Sequence, residues 1–122
     1  MLASLSYVGL LVTVGITGYY ALLFLRNPEA AMTKATHRLD LLPQVMTGRY
    51  VVVFLFVLGA VLINDLRVSA WLFGVCTFLG LYDGWVYYSR GLPHFKHTVT
   101  GLLALFALCL TLLAMFAGDH PA

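Results

Sequence analysis

Charge is what this sequence has least of. Only 10% of its 122 residues are charged, against 61% hydrophobic, and a soluble domain of this size would have too little polar surface to cover itself. Seven Lys and Arg against five Asp and Glu leave a net charge of +2, without the continuous basic face that nucleic-acid binding needs. Cysteine is scarce as well. Cys76 and Cys109 are far apart and no CxxC occurs, which weighs against a thiol-disulfide oxidoreductase; both read as small apolar residues, packed or facing lipid. Pro28, Pro43 and Pro93 all fall between the apolar runs, where a missing N–H does least harm. Met1 to Tyr20 holds no Lys or Arg, so the opening run lacks the basic leader of a signal peptide, and no small-residue cleavage site precedes Arg26; a retained helix is expected.

What is present is four apolar runs, at about 2–25, 44–63, 68–88 and 97–117. Each is near the roughly 20 residues that cross about 30 Å of hydrocarbon. Backbone groups in lipid must be satisfied internally, and unbroken apolar runs of this length do so only as helices. The expected fold is all-α: a single integral membrane domain over 1–122, an antiparallel bundle of four transmembrane helices with short loops. Arg26-Asn27-Pro28-Glu29 ends the first run, and Pro28 is suited to open a short interfacial helix through Lys34. Pro43 precedes the second helix, Asn64-Asp65 turns the chain into the third, and Gly91-Leu92-Pro93 separates the third from the fourth.

Positive charge is distributed unequally over the loops. Arg26, Lys34, Arg38, Arg90 and Lys96, with Arg49 just inside the membrane, share one side, and Arg67 stands alone on the other. The positive-inside rule then puts both termini outside the cytoplasm, and the expectation is a bacterial inner-membrane protein. Counted from the helix ends, Arg49, Asp83 and His97 lie roughly 6 to 10 Å into the second, third and fourth helices, all near the cytoplasmic boundary. Ionisable groups at such depths are costly and call for a role. As neighbours, an arginine would favour the Asp83 carboxylate, and the carboxylate would favour protonated His97. Tyr87, one turn beyond Asp83, adds a hydroxyl, while Tyr50 and Trp85 are candidate ligand contacts or members of an interfacial aromatic belt.

Two readings of the trio stand side by side. In one, Arg49 and Asp83 form a structural ion pair that fixes helix register. In the other, Arg49, Asp83 and His97 are the catalytic residues of a site that takes a lipophilic ligand. His94 and His97 have the i,i+3 spacing of two metal ligands on a helix but lack a third, so no metal is expected. His37 and His120 lie in a loop and a tail, which disfavours a bis-histidine haem. No cofactor is identified. Gly80 and Gly84 form a GxxxG spacing next to Asp83, and Gly15, Gly18, Gly59 and Gly101 allow close approach on the other helices.

These residues carry a resemblance. A first helix, a stretch with Pro28 and Ala30-Ala31, Thr47-Gly48-Arg49-Tyr50 opening the second helix, Asp83 late in the third and His97 opening the fourth together resemble the small four-helix membrane proteins of the DUF4267 type, within the broader DoxX-like group. The similarity spans nearly the whole chain through single residues at loose spacing. The family's pattern after the glycine is Arg-Asp, whereas Arg49 is followed here by Tyr50, so a second acidic residue is missing. The resemblance implies fold and location, and because DoxX relatives include subunits of membrane oxidoreductases, it also implies a partner protein or a quinone.

Two functions follow as expectations. The first is an accessory or ligand-binding subunit of a membrane complex, in contact with the bilayer, with a membrane-protein partner or a second copy, and with a lipophilic small molecule or quinone. The second is a small membrane enzyme performing acid-base chemistry, such as isomerisation, cyclisation or epoxide opening, with Asp83 as acid or base, Arg49 setting its affinity and His97 as proton partner. Proton-coupled transport of the small multidrug exporter kind is disfavoured, because the first run contains no glutamate.

Overall fold

Helix is the only regular structure among residues 17–118, those that the computed structural model describes. The chain divides into two units, Met1–Arg49 and Tyr50–Ala122. In the first, α1 covers residues 17–26; the remainder of the expected first helix lies outside the described residues, as does Gly15. Helix α2, Pro28–Lys34, starts at a capped end. Asn27 accepts the Ala30 N–H through its side-chain oxygen at 3.0 Å, and Pro28 takes the first turn, where no N–H is needed. Glu29 near the start and Lys34 at the end suit the helix dipole. Ala31 is fully buried. The Lys34 ammonium lies 5.2 Å from the centre of the Tyr19 ring, and a hydrogen bond and charge interaction with Tyr19 raise its pKa from the usual 10.5.

A 3-10 turn, Leu39–Leu41, runs directly into α3, Leu42–Ile63. The sequence places Pro43 ahead of this helix, yet α3 begins at Leu42 and includes it. The first four N–H groups of a helix have no internal partner, so a proline there removes nothing. Its carbonyl accepts the Thr47 hydroxyl at 3.0 Å.

Asn64 ends α3 in a left-handed conformation, φ 52, which asparagine tolerates better than most residues. Asp65 then caps α4, Leu66–Tyr88, by accepting the N–H groups of Arg67 at 2.7 Å and Val68 at 3.4 Å. A loop with Gly91 at φ 68 leads to α5, Phe95–Ala117, which Gly118 terminates at φ 74. The stretches Leu39–Ile63 and Phe95–Ala117 are long and apolar enough to cross a membrane. Helix α4 is as long as α5, at 23 residues each, but Arg67, Asp83 and four aromatic hydroxyl or indole side chains near its end make it more polar.

Within the second unit, α4 and α5 are the helices that pack together among the described residues. Their seam is made of glycine. A Cβ on Gly80 would stand 2.6 Å from both Cα and N of Gly101, and one on Gly101 would stand 2.7 Å from the Leu81 nitrogen, so the backbones touch where side chains would hold them apart. Residues 50–63 of α3 form no comparable seam, although a short connection to α4 led to the expectation of a neighbour. From Val51 to Ile63 α3 is apolar all round and presents no single sticky stripe, and a Cβ on its Gly59 would meet nothing within 4 Å.

Candidate functional site

The glycine seam decides which polar side chains meet. A Cβ at Gly80 would lie 3.1 Å from the His97 carbonyl, so the first turn of α5 rests on α4 at this level. The His97 ring then reaches Asp83, one turn further along α4. Nδ1 of His97 is 4.0 Å from Oδ2 of Asp83, with side-chain exposures of 33% and 41%, which leaves the pair open on one side. Tyr87, at i+4 from Asp83, stands on the same flank, its ring centre 4.8 Å from that of His97 and tilted by 36°. The structure thus brings together Asp83, His97 and Tyr87. With Nδ1 turned to the carboxylate, Nε2 lies on the far side of the ring, available to a second group.

The other flank holds a second cluster. At about 100° per residue, Leu81 and Trp85 fall on the opposite side of Gly80 and Gly84 from Asp83 and Tyr87. There, Leu81, Gly84, Trp85, Tyr88, His94 and Thr98 line a cavity of about 250 Å³. Thr98 donates its hydroxyl proton to the His94 carbonyl at 3.2 Å, and His94 Nδ1 lies 3.0 Å from the same hydroxyl oxygen. Tyr88 meets His94 edge to face at 5.1 Å. A Cβ on Gly84 would fall 2.6 Å from Thr98 Oγ1, so the glycine makes room for this hydroxyl.

Trp85, a candidate ligand contact or belt residue, lines this second cavity, where it also lies 6.1 Å from Tyr82. Tyr50 is exposed on α3. Arg49 is an exposed residue of the first unit, seven residues into α3, and forms no ion pair among the described residues, where Arg38 and Asp40 pair at 3.0 Å. His94 and His97 do not act as a pair. His94 precedes the first turn of α5 and turns to Thr98, and His97 turns to Asp83. Among the described residues no three His, Cys, Asp or Glu side chains are grouped to hold a metal ion. Cys76 and Cys109 are free thiols.

His94, Thr98 and Tyr88 were not singled out as a cluster from the sequence. The signal was present in the four-residue spacings of His94 to Thr98 and Gly84 to Tyr88, which place each pair on one helix face. What the spacing lacks is the identity of the facing helix. No family model, no curated protein and no solved structure matches the chain, and function is read from this geometry.

Proposed function

We propose that the protein is an integral membrane subunit that binds a partner helix or a lipophilic ligand, with Asp83, His97 and Tyr87 supplying the polar contact. The carrying observation is where the apolar surface lies. In the most apolar parts of Leu39–Ile63 and Phe95–Ala117, only 6% of residues are buried, and Phe54, Phe56, Leu62, Leu103, Phe106 and Phe116 are all more than 60% exposed. A helix that is apolar all round and uncovered by its own chain belongs in hydrocarbon or against another apolar helix.

In that setting the half-open Asp83 and His97 pair needs cover, because an ionisable group facing lipid is costly. A polar group of a partner, or the polar head of a lipophilic molecule, would provide it. The bundle of four spans, the cytoplasmic-side position of the pair and the outward placement of both termini complete this reading; they rest on the apolar run lengths and on the uneven Lys and Arg distribution. The likeness to the DUF4267 and DoxX-like proteins agrees with an accessory role through its implied partner or quinone.

One observation favours catalysis as a second reading. A carboxylate hydrogen-bonded to Nδ1 orients an imidazole so that Nε2 can exchange a proton with a bound molecule, and Asp83, 4.0 Å from Nδ1 of His97, would need only a small approach on ligand binding to do so. In this reading Arg49 sets the proton affinity of Asp83. Purification in mild detergent, followed by mass spectrometry of every co-purifying protein and small molecule, tests the two. Stoichiometric partner subunits are the expected result. A solitary chain that converts a co-purified lipophile, and loses this ability in Asp83→Asn, would replace the subunit reading with the enzymatic one.

A further inference from the structure

We infer that the α4–α5 hairpin carries a binding site for an anionic phospholipid, distinct from the Asp83 flank and placed in the leaflet that meets the α3–α4 turn. The site is a groove of about 550 Å³, within the size range of small-molecule sites, whose lining includes Arg67, Trp71, Gly74 and Phe78 of α4 and Leu108 and Met115 of α5. All of its lining is apolar except Arg67 at one end. From Arg67 to Phe78 the groove follows α4 for about 16 Å at helical rise, an elongated apolar trough with a single cation at its mouth.

Charge selects the occupant. Arg67 forms no ion pair among the described residues. The neighbouring carboxylate, Asp65, turns Oδ1 to the backbone N–H groups of Arg67 and Val68 and forms no ion pair with the Arg67 guanidinium. The apolar runs 2–25, 42–63 and 95–117 contain no Asp or Glu, so none of these segments, from this chain or a second copy, would bring a counter-charge if laid in the groove. An acyl chain along Trp71, Gly74 and Phe78, with its phosphate at Arg67, satisfies both the trough and the cation. Indole and guanidinium groups are both at home in the headgroup region.

Gly74 makes the inference testable without disturbing the hairpin. A Cβ there meets nothing within 4 Å, so Gly74→Leu fills the trough from an open position. The full chain is placed in nanodiscs of mixed phosphatidylglycerol and phosphatidylcholine, and retained lipid is read by native mass spectrometry, with helicity followed by circular dichroism. The wild type should retain phosphatidylglycerol over phosphatidylcholine by about fivefold, the effect of one basic residue at an anionic surface. Arg67→Gln should bring the ratio to about one, and Gly74→Leu should release both lipids with helicity unchanged. Asp119→Asn, at a position outside the described residues, should leave the ratio as it is.

A wild type without preference, a Gly74→Leu variant that keeps its lipid, or a lipid-free dimer would overturn the inference while leaving the Asp83 reading intact. A chain that does not enter the nanodisc at all would overturn both.

Discussion

With 4.0 Å between Nδ1 and Oδ2 and a third or more of each side chain exposed, the contact of Asp83 with His97 is a loose one, and its neighbours matter more than its strength. Exposed pairs of this kind contribute about 1 kcal/mol or less. Asp83→Asn keeps the size and hydrogen-bonding capacity of the side chain, so thermal unfolding in detergent should shift by less than about 1 kcal/mol relative to wild type. A larger loss would mean that the carboxylate holds the hairpin together, contrary to its placement on an open flank. The sequence made Asp83, Tyr87 and His97 legible, since an acid and a tyrosine four residues apart share a face and a short loop returns the next helix beside them. Depth could not supply the sideways coordinate. Depth along one helix says nothing of which neighbour that helix faces, and this gap hid the turn of His94 toward Thr98.

At the scale of the helix pair, glycine is what lets α4 and α5 approach. Gly80→Ala would drive a Cβ to 2.6 Å from the Gly101 backbone, and Gly101→Ala would do the same at 2.7 Å from the Leu81 nitrogen. Backbone cannot rotate away as a flexible side chain can, so each change should cost roughly 1 to 3 kcal/mol, the usual range for overpacking. Gly84→Ala meets first the Thr98 hydroxyl oxygen, which can move, and should cost less than either. Gly74→Ala, in open space and in mid-helix, should be neutral or stabilise by up to about 1 kcal/mol through helix propensity. Because Gly80 and Gly101 share one contact, the double alanine variant should lose less than the sum of the singles. Detergent or denaturant unfolding of the five variants checks the order, and equal losses at Gly74 and Gly80 would contradict the seam. The GxxxG spacing of Gly80 and Gly84 was visible in the sequence, as were α3, α4 and α5 to within a few residues. Their partner was not, because several helices carry glycine and only the backbone crossing shows that Gly101 is the one that fits.

For the molecule as a whole, the question is what covers the helices that do not cover one another. From Val51 to Ile63 helix α3 is apolar on every side, and its Gly48 and Gly59 each have open space around the Cβ position. If lipid alone surrounds α3, a larger apolar side chain at either glycine is only more hydrocarbon in hydrocarbon, and nothing should change. If a partner helix approaches there, small residues are what admit it, and bulk should push it away. The subunit reading therefore makes a paired prediction. Gly59→Leu should release co-purifying protein in mild detergent, and Asp83→Asn, whose amide keeps the size and hydrogen-bonding capacity of the polar contact, should retain it. The enzymatic reading reverses the pair, since Asp83→Asn would abolish turnover of a lipophilic substrate and Gly59→Leu would spare it. Quantitative mass spectrometry of the two variants, scored against wild type for bound protein and for bound small molecule, separates these cases in a single preparation. A result in which both variants keep their partner would place the interface on α5 instead, where Phe106 and Phe116 are more than 60% exposed and would be the next anchors to truncate.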